Sequence, residues 1–203
     1  MNTKTETSGS QKERRKFLIV ATTAVGAIGG AGFLVPFISS MNPSARARSA
    51  GAPIKFDISK LEAGQQATLL WQGKPIWVLR RTPDMLARLE GAGLLERLRD
   101  PDSLVTSQQP DYAQNKDRAI RSEYFVTIAL CTHLGCIPNF RPEIGPKDLG
   151  ASWPGGYYCP CHGSLFDFAG RVYKGVPAPT NLVIPPYQYL TDTIIEIGTS
   201  AQA

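Results

Sequence analysis

The sequence predicts a mainly β protein, an antiparallel β domain with one helical insertion, preceded by a single transmembrane helix. Three observations carry that expectation. Gly (19) and Pro (16) are abundant among the 203 residues, as in a chain that turns often. From residue 54 onward the apolar period is mostly two, with turn signals at short intervals. Residues 17–40, by contrast, contain no charge at all. A chain that is 42% hydrophobic and 19% charged is neither disordered throughout nor a polytopic membrane protein.

The N-terminal element comes first. Residues 1–16 are polar and end in Glu13-Arg14-Arg15-Lys16. The 24 uncharged residues that follow, FLIVATTAVGAIGGAGFLVPFISS, would make a helix of about 36 Å, enough for a hydrocarbon core of about 30 Å. Ala45-Arg46-Ala47 would suit a cleavage site, but the apolar run exceeds the ~7–15 residue core of a cleavable signal, so a retained anchor in the lipid bilayer is expected. Arg14-Arg15-Lys16-Phe17-Leu18 resembles a twin-arginine signal, which exports proteins already folded. Basic residues ahead of the helix keep the N-terminus cytoplasmic and place everything after residue 40 outside. Gly26, Gly29, Gly30 and Gly32 would suit either close packing against another membrane helix or simply a soft signal.

Met41–Pro53 (MNPSARARSAGAP) has no large apolar residue after Met41 and reads as a linker, with a reach of roughly 40 Å if extended. The body, 54–203, opens with expected strands at Lys55–Ser59, Ala67–Trp71 and Pro75–Arg81, the last two joined at Gln72-Gly73-Lys74. A helix is expected next, with Thr82 as cap, Pro83 in the first turn and Met85, Leu86, Leu89, Leu95 and Leu98 as its apolar face, broken near Gly91 and Gly93. Pro101–Ser122 is a polar excursion, followed by an apolar strand at Tyr124–Leu130. Further strands are expected at Tyr157–Cys159, Leu165–Phe168, Arg171–Lys174 and Thr193–Ile197, with a turn at Ala169-Gly170. Arg141–Ser152, between the cysteine-containing segments, reads as a surface loop.

The net charge of +5 does not indicate a nucleic-acid partner. Five Lys/Arg against Glu6 and Glu13 place +3 of it in residues 1–16, which leaves +2 for the rest.

All four cysteines and both histidines fall in two short boxes, Cys131-Thr132-His133-Leu134-Gly135-Cys136 and Cys159-Pro160-Cys161-His162-Gly163-Ser164. Both begin at the end of an expected strand. A structural zinc site would use four of the six side chains. Two disulfides would suit an exported protein but leave the histidines idle. A thioredoxin-like pair needs two residues between its cysteines, and Cys159-Pro160-Cys161 has one. A 2Fe–2S cluster held by two cysteines and two histidines is the fourth possibility.

The two boxes resemble those of Rieske iron–sulfur proteins, in the branch that serves bacterial quinol–cytochrome c reductases, and Gly175-Val176-Pro177-Ala178-Pro179 is similar to that family's proline loop. The resemblance runs from the export signal to that loop. It implies a Rieske-type sandwich whose cluster-binding part spans about 128–180 and holds one 2Fe–2S cluster. By the same resemblance, Cys131, His133, Cys159 and His162 would be the ligands and Cys136–Cys161 a disulfide. His162 would bond the quinol and accept its proton, while Leu134, Gly135 and Pro177 would form the docking tip. Ser164 would raise the cluster's potential; Phe166 stands where mitochondrial members carry Tyr, which implies a lower one. Implied partners are cytochrome b, a c-type cytochrome and quinol, in a dimeric complex of the bacterial inner membrane with the head periplasmic. The chain alone would not turn over quinol. A Rieske subunit of another periplasmic oxidoreductase, such as arsenite oxidase, shares the signal and the cluster but not the quinol role.

Overall fold

A computed structural model describes residues 4–45, 51–91 and 93–199. Part of the expected linker, residues 46–50 with two residues of the Ala45-Arg46-Ala47 segment, lies outside the described residues. The chain forms two compact units, residues 1–49 and 50–203.

The first unit is one helix, α1 (Lys4–Ser40), which takes in the basic segment as well as the apolar run. Gln11–Ser40 is long and apolar enough to cross a membrane. Three of its hydroxyls bond back within the helix: Thr22 donates to the Leu18 carbonyl at 2.7 Å, Ser39 to that of Pro36 at 3.1 Å and Ser40 to that of Phe37 at 2.7 Å. In hydrocarbon, where no water can serve them, such back-bonding removes the cost of an unpaired polar group.

The second unit is built from three antiparallel three-stranded sheets. One has the order β1 (Ile54–Asp57), β9 (Ile194–Ile197), β8 (Tyr187–Tyr189). A second orders β2 (Gln66–Trp71), β3 (Lys74–Arg80), β4 (Tyr124–Ile128), and the third β5 (Asn139–Arg141), β6 (Gly156–Cys159), β7 (Ser164–Phe166). Every residue of β4 and four consecutive residues of β3 are buried, so this pair is covered on both faces. The third sheet docks through Tyr157 of β6. Its ring stacks on Trp77 of β3 at 5.0 Å, flanked by Phe125 and Phe140.

The helical insertion is split as its glycines suggest, into α2 (Pro83–Leu89) and α3 (Leu94–Arg97). Thr82 caps α2 by accepting from the Met85 amide at 3.2 Å. Two details differ from expectation. Leu94 is the buried residue of α3, whereas Leu95 is half exposed. Arg171–Lys174 forms no strand, only single bridges from Val172 to Phe166 and from Tyr173 to Leu98.

Arg141–Ser152 is exposed or half-buried throughout and holds no helix and no strand beyond the last residue of β5, as a surface loop does. Trp153, just after it, is buried with Leu94, Leu98 and Tyr173 in a second small core. Leu165 and Val176 pack against that core, so the insertion braces the strand after the second box and the proline loop together.

Gly156 sits where β6 passes under β7. Its φ of +146° and a Cβ that would run into the Phe166 carbonyl leave room for no other residue. Gly156→Ala is expected to destabilise the head by more than about 3 kcal/mol. A thermal melt unchanged from the parent would disprove this close approach.

Candidate metal centre

Both boxes fold the same way. The Gly135 amide donates to the Cys131 carbonyl at 2.9 Å, and the Gly163 amide to the Cys159 carbonyl at 2.9 Å. Each glycine takes a left-handed φ, +79° and +76°, which reverses the chain five residues into its box. The turns bring the two histidines together: the rings of His133 and His162 lie 4.7 Å apart, edge to face.

The sulfurs divide into two pairs. Cys136 and Cys161 form a disulfide across 25 positions of chain, with Cα atoms 6.7 Å apart. Cys131 and Cys159 have no disulfide partner and are buried. Burial pushes the Cys131 thiol up, and the neighbouring Cys159 adds to the effect, whereas the Ser164 hydroxyl opposes it. The Cys159 sulfur also lies within 4.8 Å of both disulfide sulfurs.

The remaining predicted residues surround this centre. Ser164 is buried, pairs with Cys159 across β6–β7, and accepts from the Ala178 amide at 3.1 Å. Phe166 is fully buried on the same strand. Leu134, Gly135 and Pro177 are exposed, Leu134 by 71%, as is His162, while His133 is half-buried. Two ties escaped sequence reasoning. Thr132 donates to the Thr180 carbonyl at 2.7 Å, and the Ala178 amide meets Ser164. The first could have been suspected from a hydroxyl between two candidate ligands, but the second is a backbone amide with no sequence signal.

Comparison with known proteins agrees with this geometry. Residues 99–188 match the "Rieske [2Fe-2S] domain", and residues 4–44 match the "Ubiquitinol-cytochrome C reductase Fe-S subunit TAT signal". A protein of Allochromatium vinosum is 58% identical over 94% of this chain and 90% of its own. One from Blastochloris viridis is 46% identical over 93% and 94%, and one from Bradyrhizobium diazoefficiens 43% over 96% and 99%. Each of the three is named ubiquinol-cytochrome c reductase iron-sulfur subunit.

The chain belongs to this Rieske subunit family.

Its cofactor is the 2Fe–2S cluster of the Rieske domain. The donors present fit such a group. His133 Nδ1 is buried and has no hydrogen-bond partner, and two unpaired thiols are buried in the same pair of boxes. A buried imidazole nitrogen with no partner is costly unless something binds it.

The disulfide closes a loop of about 25 residues between the two boxes. Loop-closure entropy then assigns it about 3.5 kcal/mol. The double variant Cys136→Ser/Cys161→Ser is expected to melt roughly 10 °C lower than the parent, and an unchanged melt would show that the bond does not constrain the loops.

Proposed function

We propose that this protein carries electrons from quinol to a c-type cytochrome, and that Cys131, Cys159, His133 and His162 hold its cluster. One observation carries the assignment. Once Cys136 and Cys161 are bonded, the four remaining cysteine and histidine side chains are the two buried thiols and the two neighbouring rings. Relatives matched nearly end to end, anchor included, are named as quinol–cytochrome c reductase subunits. This supports the quinol role over that of an oxidoreductase subunit of another kind.

When bound, a cluster with two imidazole ligands supplies a one-electron couple at about −150 to +300 mV, against about −400 mV for plant-type ferredoxins. The chain's residues do the rest. His162 is exposed, so its outward nitrogen can accept a hydrogen bond from a quinol hydroxyl and then hold the proton. Leu134 and Pro177, exposed on either side of the boxes, give this end an apolar surface that suits a quinol pocket on cytochrome b. The Thr132 and Ser164 ties hold the proline loop over both boxes. The helix α1 anchors the subunit in the membrane as part of a cytochrome bc complex. With its basic N-terminus cytoplasmic, the head lies in the periplasm, and the linker lets that head move between a quinol site on cytochrome b and a c-type cytochrome in a dimeric assembly.

The decisive experiment is low-temperature EPR of the ascorbate-reduced protein with a redox titration at several pH values. A Rieske-type signal is expected. Reduction adds negative charge beside the ligand imidazoles and favours their protonated form, so the midpoint falls as pH rises, by up to about 59 mV per unit for one proton per electron. Stoichiometric zinc with no signal in metal-replete protein would replace this reading with a structural one.

Phe166 generates a second expectation. Phe166 is fully buried, and by the family resemblance a hydroxyl there would bond a ligand sulfur. At a net ~0.5–1.5 kcal/mol, Phe166→Tyr should raise the midpoint by about 20–65 mV. An unchanged midpoint would show that the ring edge does not reach the sulfurs.

A further inference from the structure

Three guanidiniums lie inside the head. Arg81, Arg118 and Arg171 are each no more than 1% exposed, and among the described residues the only other buried charge is Asp167. Asp167 is taken by Arg171, whose Nε donates to it at 2.7 Å. Arg81 and Arg118 have no such partner. Arg81 donates to the carbonyls of Ser122, Asp117 and Phe168 at 2.7, 2.8 and 3.3 Å. Arg118 donates to those of Ala169 and Leu182 at 3.0 and 2.8 Å, and to the Gln109 side chain at 3.0 Å. Arg81 Nη2 and Arg118 Nε find no acceptor at all.

Burying a cation without a counter-ion costs several kcal/mol, and neutral donors could hold a turn. Burial pushes both guanidiniums down to about 10, so they remain charged at neutral pH. The carboxylates that face them are Asp167 and the half-buried Asp117 and Asp100, the last two partly screened by water. The buried net charge is therefore +2.

Its position matters more than its size. Both arginines grip the turn Phe168–Gly170, which continues β7, and β7 begins at Ser164 opposite Cys159. Phe168 lies four positions on from Ser164, two beyond the end of β7, a span of about 13 Å if extended. The space around that strand is filled by Tyr157, Phe166, Phe168 and Phe125, all buried. Little solvent screens a charge across such a core.

We infer that Arg81 and Arg118 serve as fixed positive charges behind the second box that raise the reduction potential of the group held there. A group held by Cys159 and His162 that took up an electron would be stabilised by them, which would help it to accept electrons from quinol. The inference rests on the ligand assignment above.

The test is an EPR-monitored redox titration of the full-length, cluster-loaded protein at fixed pH and ionic strength. Arg118→Gln and Arg81→Gln should each shift the reduction equilibrium toward the oxidised form about three- to tenfold, as expected for a unit charge about 13 Å away at an effective dielectric constant of about 20–40. Arg118→Lys, which keeps the charge, should leave the midpoint near that of the parent. Asp167→Asn adds a net positive charge and should move it upward. If the neutral variants do not fold, Gln109→Glu retains both arginines, places a carboxylate against Arg118 and should lower the midpoint. A midpoint indifferent to all of these, or lowered equally by Lys and Gln, would reduce the arginines to a structural clamp. Absence of a Rieske-type signal in the parent would instead defeat the ligand assignment.

Discussion

The metal centre depends on one covalent constraint. The two boxes belong to separate turns of chain, and Cys136–Cys161 is the one covalent tie that holds them opposite each other. The bond does two things at once. It fixes the loops' separation, and it leaves Cys131 and Cys159 as the two free thiols. What remains is a set of two thiols and two imidazoles, with the sulfurs buried and His162 exposed. That asymmetry suits an electron carrier coupled to proton uptake, with its thiols shielded and one imidazole within reach of a substrate.

A constraint between two loops is only as firm as the strands beneath them. Here Tyr157, two residues before Cys159, is wedged between Trp77 and Phe140, which ties the second box to the sheet that bears the first. The proline loop is held on three sides, by Thr132, by Ser164 and by Val176 packed on the small core around Trp153. The helical insertion, far from the boxes in sequence, therefore contributes to the rigidity of the cover. Rigid surroundings limit reorganisation around a charge that comes and goes, the same logic by which fixed dipoles outperform mobile ones in catalysis.

The boxes were readable in the sequence because metal chemistry uses rare residues, and here all six Cys and His fall in twelve positions. The hairpin around Gln72-Gly73, the Thr82 cap and the split helix were readable because each follows a local rule. The strands β5 and β8 were not. Asn139–Arg141 lies between Pro138 and Pro142, and Tyr187–Tyr189 follows Pro185-Pro186, so local signals argue for loops and only pairing with a distant strand makes them sheet. The reverse error occurred at Arg171–Lys174. Its alternation looks like a strand, but flanking Gly170 and Gly175 bend the segment away after one bridge to each neighbour. Buried arginines were unreadable for a different reason: charge in a sequence implies surface, and only the tertiary fold reveals carbonyls converging to receive it.

The export signal and the metal centre also constrain each other. Four cysteines allow three pairwise connectivities, and the Cys159 sulfur lies within 4.8 Å of both members of the observed disulfide. A chain crossing the membrane unfolded would meet an oxidising compartment with all four thiols free and equivalent. Nothing in the spacing of the boxes would then favour Cys136–Cys161 over a bond that consumes Cys159. A chain that crosses folded, with Cys131 and Cys159 already committed as ligands, leaves only Cys136 and Cys161 to be oxidised. The match of residues 4–44 to a twin-arginine signal suits that order, in which ligation before oxidation would select Cys136–Cys161.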